Sequence, residues 1–302
     1  MFHFCTITTS DHLYKTFALF DSLKEQNSEV CFHLLCIDND VQIVNRDGLK
    51  HYKMSFLSEN INTQIIHSKY KADLDKIRWS LKPIFLKSLL KSGIEKVIYL
   101  DNDLYFFSNY NFLFDLLDNY NFLLTPHYFS KDSSKSQNWF EANYRVGLFN
   151  AGFIGVHKSA TEYLDWWASC CAYRCEKSAF RGMYDDQKYL DLMPVINPDA
   201  HIVRHKGCNV ADWNRSEVKR EIRDGQLYLD GQYPLVFIHF NYTTIGSIHN
   251  GAELLLKPYF EKYFENLQKY YPHLERRNMF GPSKLIDRIK YKIWKFFTDR
   301  NL

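Results

Sequence analysis

Apolar residues along this chain fall in short dense runs alternating with stripes at three- and four-residue spacing. Residues 2–8 form a strand-like run, Ser10-Asp11 is a helix-capping pair, and Phe17, Leu19, Phe20 and Leu23 mark one face of the helix that follows. A second run at 31–37 ends on Asp38. A strand, a helix and a strand in this order predict an α/β fold built on a Rossmann-like, doubly wound and mostly parallel sheet. No Gly-x-Gly-x-x-Gly follows the first strand, which disfavours a dinucleotide and leaves a mononucleotide open.

Further along, the pattern predicts a short strand at 64–67 and a helix over 74–90, with Leu81, Phe85 and Leu89 on one face and Gly93 as its stop. Pro83 fits a first turn better than a helix interior. A strand at 97–100, a helix near 112–117, a strand at 122–125 and a mobile polar loop at 130–137 come next. The stretch 148–157 reads as a strand carrying Asn150-Ala151-Gly152, either a β-bulge or a place where a ligand approaches the backbone. A helix with Trp166 and Trp167 follows, then a Gly182-led turn that opens a helix at Asp185 or Asp186. A loop at 207–214 offers Asn209 and Trp213, and a strand at 235–238 delivers His239 and Phe240.

The strand at 97–100 ends in Asp101-Asn102-Asp103. Positions i and i+2 of a strand share a face, so alternation would aim both carboxylates one way. They fall at the carboxyl end of a buried strand, where open α/β sheets bind ligands. Paired carboxylates repel unless a cation lies between them, and a divalent metal bridging to phosphate oxygens meets that need. Strand-end aspartates also serve as plain helix caps. Asp11 and Asp38 stand at strand ends too, as candidates for a base or ribose contact and equally as caps.

Composition narrows this little. The 302 residues, 46% hydrophobic and 17% aromatic, are enough for one large domain with a sizeable core. A net charge of +3 gives no case for nucleic acid as a partner. Seven cysteines without a Cys-x-x-Cys pair point to free thiols in a reducing compartment; Cys170, Cys171 and Cys175 cluster without the partners a zinc site needs. Met1 runs straight into the first strand with no basic and apolar leader, so a cytoplasmic chain is expected. Near the end, Leu285, Ile286, Ile289, Ile293 and Phe296 line one stripe of a basic helix, suited either to an anionic membrane surface or to packing on its own domain.

Taken in order, Asp101-x-Asp103, Phe149-Asn150-Ala151-Gly152, Asp186-Gln187, Asn209 and His239-Phe240 resemble the GT-A glycosyltransferases, in particular the family containing glycogenin and bacterial lipopolysaccharide galactosyltransferases. The resemblance spans about residues 2–245 and implies a retaining, metal-dependent transferase using a nucleotide diphosphate sugar, usually a uridine diphosphate sugar. It makes Asp101, Asp103 and His239 ligands of Mn2+ or Mg2+ and puts Asp186 and Gln187 beside the anomeric carbon. Thr6, Thr8, Asp38, Asp101, Asn102, Asn150, Ala151, Asp185 and Asn209 become donor-binding candidates, with Arg78 and Lys82 (or Lys206) as candidates for the diphosphate grip. The family's Gly and Lys-Pro-Trp after His-Phe are replaced by Asn241-Tyr242-Thr243-Thr244, and Lys257-Pro258 stands too far along to equate with them, which marks a divergent branch.

The expected organisation is a catalytic domain over 1–250, with a nucleotide half to about 110 and an acceptor half beyond it, and a helical segment over 251–302. The expected acceptor is a glycan or glycolipid of bacterial lipopolysaccharide or capsule, reached at the inner face of the membrane. Two other readings remain at this stage. A haloacid-dehalogenase-type phosphohydrolase carries its Asp-x-Asp after the first strand, and a non-catalytic glycan binder on the same fold is expected to lose the metal ligands or Asp186.

Overall fold

A computed structural model of the chain describes residues 1–38 and 45–279. The opening is as expected: β1 (Phe2–Thr8), α1 (Leu13–Gln26) and β2 (Val30–Cys36), the strands pairing in parallel from Phe2↔Val30 to Thr8↔Cys36. Every residue of β2 is buried, as a strand covered on both faces requires. β3 (Leu49–Tyr52) adds in parallel to β2.

Three helices come next: α2 (Ile61–Tyr70), α3 (Leu74–Ser80) and α4 (Lys82–Lys91). The strand expected at 64–67 is therefore helix. Asn60 caps α2 by accepting from the Asn62 N–H at 2.9 Å, and Ile66 is buried while Ile65 is exposed, so one-sided burial overrides the strand propensity of the pair. The single helix expected over 74–90 breaks at Leu81, because Pro83 has no N–H to donate and is accommodated in the first turn of α4.

β4 (Lys96–Leu100) pairs in parallel with β1, whereas β5 (Leu104–Phe106) leaves the main sheet. Then follow α5 (Asn111–Asn119), β6 (Phe122–Pro126), α6 (Gln137–Arg145), β7 (Phe149–His157) and α7 (Thr161–Tyr173). A two-stranded hairpin, β8 (Lys177–Ser178) with β9 (Met183–Tyr184), precedes the short α8 (Met193–Ile196) and β10 (Ala200–Ile202). The Gly182 turn opens no α-helix: Asp185 takes φ +48°, and a 3-10 turn begins only at Lys188. The seven-stranded sheet runs β10-β6-β7-β4-β1-β2-β3, with β7 antiparallel between β4 and β6. Strand order reverses beside β1, so the crevice outside the carboxyl ends of β1 and β4 is the switch point of the sheet.

β11 (Arg220–Arg223), β12 (Gln226–Leu229) and β13 (Tyr233–Pro234) form a meander, and β14 (Phe237–His239) pairs antiparallel with β5. The strand expected at 235–238 thus starts two residues later and includes His239. α9 (Tyr242–His249) and α10 (Lys257–Tyr270) close the described chain. Strand alternation divides the sheet's core: Cys5, Ile7, Phe85, Tyr99 and Trp167 pack on one face, Phe4, Leu19, Phe32, Ile98 and Phe153 on the other. A third cluster joins Tyr105, Ile238, Phe240 and Tyr263. Within it the Asn266 amide donates to Tyr105 Oη at 3.0 Å, and the Tyr270 hydroxyl donates to Asp21 on α1 at 2.6 Å. The basic amphipathic segment expected over residues 284–297 lies outside the described residues. Among the described residues no helix is long and apolar enough to cross a membrane. All seven cysteines are free.

Candidate active site

The acid doublet is presented by a turn, not by strand alternation. β4 stops at Leu100, the Leu104 N–H donates back to the Asp101 carbonyl at 3.2 Å, and the chain turns away into β5. Two neighbouring contacts brace this turn: the Asp101 N–H donates to the Gly152 carbonyl and the Phe240 N–H to the Asp103 carbonyl, both at 2.8 Å. Because β5 pairs with β14 at Leu104↔His239, the imidazole arrives beside the doublet. His239 Nε2 lies 3.1 Å from Asp103 Oδ1, and the donor atoms of Asp101, Asp103 and His239 all lie within 4.8 Å of one another.

The remaining space belongs to Gly152. Its neighbours in β7 are displaced by an irregularity, since the β6–β7 register jumps from Leu124↔Ile154 to Thr125↔Asn150. A Cβ at Gly152 would lie 2.7 Å from His239 Cε1 and 2.9 Å from Asp101 Oδ2. Glycine keeps open the ground between the three donors. The His239 ring is also oriented: Asn209, at φ +59° and fully buried, accepts at Oδ1 from His239 Nδ1 (3.1 Å) while its own amide donates to Thr125 Oγ1 (3.0 Å). With the Nδ1 proton committed there, a neutral ring turns the lone pair of Nε2 toward Asp103. A carboxylate and a ring nitrogen at that separation need a proton or a cation between them. The donor set of two carboxylates and one imidazole fits a divalent ion of the manganese or magnesium type.

Charge is finely balanced around this point. Burial opposes ionisation of Asp103, but the facing His239, with Lys15 and Arg78 beyond, holds the carboxyl well below its ordinary range. Burial likewise opposes charge on His239, and Asp103 overrides it and raises the ring's pKa. Lys82 is enclosed at the start of α4, donating to the Ala151 carbonyl at 3.0 Å and lying 3.3 Å from Asp101 and 3.2 Å from Asp186. Burial raises the pKa of Asp186, and Lys82 works against that rise. Its neighbour Asp185 is pushed up to about 6 by burial and lies 3.3 Å from Lys177.

Asn150 and Gln187 form the floor beside Asp186. Asn150 Oδ1 accepts from the Gly152 N–H at 3.0 Å, and its amide lies 3.2 Å from His127 Nε2 and 3.3 Å from Gln187 Oε1. Gln187 also accepts from the Ala151 N–H at 3.1 Å and donates to the Val146 carbonyl at 3.2 Å. These contacts use most of its hydrogen-bonding capacity within the protein.

Other sequence candidates are occupied differently. Thr6 donates to the Leu100 carbonyl at 2.6 Å, and Thr8 accepts from the Asn102 amide at 3.0 Å; all three side chains are buried and brace the exit of β4. Asp38 accepts from the Ser10 N–H and hydroxyl at the carboxyl end of β2. Arg78 pairs with Asp75 at 3.0 Å and adds its field to the doublet. Lys206 is paired with Asp230, and Lys257-Pro258 forms the first turn of α10. Lys15 on α1 and His127 after β6 were not legible in advance, since each reaches the site by tertiary packing and neither belongs to a motif.

The model of glycosyl transferase family 8 matches residues 4–188, more than half of the chain. The chain belongs to this family. It is a glycosyltransferase with the GT-A fold, and the family implies a nucleotide-sugar donor and a glycan acceptor. Among curated relatives it is 28% identical to the uncharacterised protein YfnF of Bacillus subtilis over 283 residues, which is 90% of this chain and 93% of YfnF. Its identity to YfnD of the same organism is 29% over 251 residues, 81% of this chain and 78% of YfnD. Among solved structures, mouse xyloside xylosyltransferase 1 is 14% identical, with 72% of this chain and 90% of that chain covered and a TM-score of 0.44. The galactosyltransferase LgtC is 14% identical over 70% of this chain and 76% of its own, with a TM-score of 0.42.

Proposed function

We propose that this family member transfers a hexose from a uridine diphosphate sugar to a hydroxyl of a glycan or glycolipid, with retention, in the assembly of lipopolysaccharide or capsule. The reading rests on one observation above others: Asp101, Asp103 and His239 converge from a turn and a distant strand onto space that Gly152 keeps clear. These three residues would hold Mn2+, which a mixed carboxylate and imidazole set suits at least as well as Mg2+. A bound divalent ion supplies Lewis-acid neutralisation of the departing diphosphate.

The chain's own residues do the rest. Asn209 fixes the ring of His239 so that Nε2 faces the site. Lys82 lies within 3.3 Å of both Asp101 and Asp186, and its charge works against the rise that burial imposes on Asp186. In its carboxylate form Asp186 stabilises the positive charge that develops at the anomeric carbon as the glycosidic bond breaks. Asn150, Ala151 and Gln187 form a rigid hydrogen-bonded ledge for the donor sugar, and Asp185 borders it. Thr6, Thr8, Asn102 and Asp38 shape the nucleotide side by bracing the ends of β1, β2 and β4. Lys15 and Arg78, whose fields already reach Asp103, supply the diphosphate grip in place of the missing Lys-Pro-Trp. In this reading residues 1–250 are catalytic, and the basic amphipathic segment at 284–302 attaches the enzyme peripherally to the cytoplasmic face of the membrane.

The decisive experiment is a thermal-shift and hydrolysis screen of nucleotide diphosphate sugars with and without Mn2+. Donor hydrolysis is expected to require the metal and to disappear in Asp103→Ala. Metal-independent turnover persisting in that variant would overturn the assignment. Deleting residues 284–302 should release the protein from anionic vesicles, and unchanged partitioning would remove the membrane arm.

A further inference from the structure

At the other end of the same sheet, three donor atoms meet that the transferase chemistry does not use. His3 on β1 is paired in register with Cys31 on β2, and Cys31 and His33 stand two residues apart on one face of β2. His3 Nδ1 lies 3.0 Å from His33 Nε2, Cys31 Sγ lies 3.5 Å from the same nitrogen, and all three donor atoms fall within 4.8 Å of one another. Around a tetrahedral zinc ion, bond lengths of about 2.0–2.1 Å to nitrogen and about 2.3 Å to sulfur put donors roughly 3.3 Å (N to N) and 3.6 Å (N to S) apart. The His3–His33 and Cys31–His33 spacings are within a few tenths of an ångström of those values.

We propose that His3, Cys31 and His33 form a second metal site, a zinc(II) site with two imidazoles and one thiolate, tying β1 to β2 at their amino-terminal ends.

Two features support it beyond the spacing. The Tyr52 hydroxyl lies 2.9 Å from His33 Nδ1, which pins the ring and leaves Nε2 toward the other two donors. Zinc uptake would form one Zn–S and two Zn–N bonds and release the thiol proton to solvent, with the fourth position left to a water on the partly exposed His3 side. Nitrogen and sulfur donors select zinc over the harder ions that suit Asp101 and Asp103.

The test uses the full-length protein, stripped with a chelator and titrated with Co2+ as the spectroscopic probe for zinc. A thiolate-to-cobalt charge-transfer band should grow to one equivalent per chain and be displaced by Zn2+. The acid doublet and His239 contain no sulfur and cannot give the band, and Cys31→Ser separates Cys31 from the other six thiols. It should persist in Asp103→Asn and vanish in Cys31→Ser, and Tyr52→Phe should weaken the affinity by about tenfold. Should Cys31→Ser fail to fold, His3→Gln at the partly exposed position decides, with an affinity loss of at least about tenfold expected. No thiolate band in the wild type, a band surviving Cys31→Ser, or an unchanged affinity in His3→Gln would overturn the site and leave a hydrogen-bonded trio in its place.

Discussion

The two three-residue clusters occupy opposite ends of one mostly parallel sheet and are assembled by different means. His3, Cys31 and His33 meet because adjacent strands are in register, so the contact follows directly from the β1–β2 ladder. Asp101, Asp103 and His239 meet because a strand ends, turns, and leaves the sheet to pair with a segment far away in the chain. The first cluster offers two nitrogens and a sulfur in a largely enclosed setting. The second offers two oxygens and a nitrogen, with the carboxylates a quarter exposed or slightly less, at 25% and 23%. Register can assemble a structural clasp cheaply, but an open ligand site needs a backbone that departs from regularity. In both, a further side chain orients the imidazole: Tyr52 for His33 and Asn209 for His239.

The contrast can be broken at several points. The largest effect is expected from Lys82→Met, which leaves Asp101 and Asp186 buried or half-buried without their shared cation. Removing one partner of such a set typically costs about 3–5 kcal/mol, to be read from urea unfolding. Gly152→Ala should follow: the methyl group cannot fit without moving His239 or Asp101, and displacing catalytic groups by about an ångström costs on the order of 100-fold in turnover. The thiolate band at the other end should be untouched by it. Asn209→Gly keeps the positive φ comfortable yet frees the His239 ring, so Mn2+ affinity, measured by calorimetry, should fall about tenfold.

Near neutral pH the smallest effect belongs to a histidine that needs no ion, and it sharpens the comparison as the pH falls. His127 has both nitrogens engaged, at 2.9 Å from the Gly147 carbonyl and 3.2 Å from the Asn150 amide, and burial pushes its pKa down to about 3. The unfolded chain takes up this proton below about 6.5 and the folded chain does not until about 3, so the contribution is intact above 6.5 and is lost as pH falls through that window. His127→Gln should make the acid slope of stability shallower by up to about 1.4 kcal/mol per pH unit. Equal slopes in wild type and variant between pH 6.5 and 4 would show that this ring does not titrate as described.

Much of the frame was legible in the residues. The β1–α1–β2 opening and the strand before Asp101 follow from periodicity, and the order of the later motifs was legible through their resemblance to a known family. Ile65-Ile66 misled because β-branched residues favour strands wherever packing does not decide, and here packing decided for a helix. The helix over 74–90 was read through Pro83 without the break that proline imposes. Asp101 and Asp103 were found for the wrong geometric reason, since a turn and not alternation brings them together. Lys82 looked like a free cation for phosphate; only tertiary packing makes it the shared partner of two carboxylates. His3, Cys31 and His33 carry no spacing signature, because strand register is not written locally.

The exit of β5 from the main sheet also sets an order of events during synthesis. Asp101 and Asp103 leave the ribosome well before His239, and the Asn266 contact with Tyr105 that ties α10 to β5 can form only later still. A nascent chain, or one cut before residue 239, thus presents two acids without their imidazole, and the three donors can meet only after β14 has emerged to pair with β5.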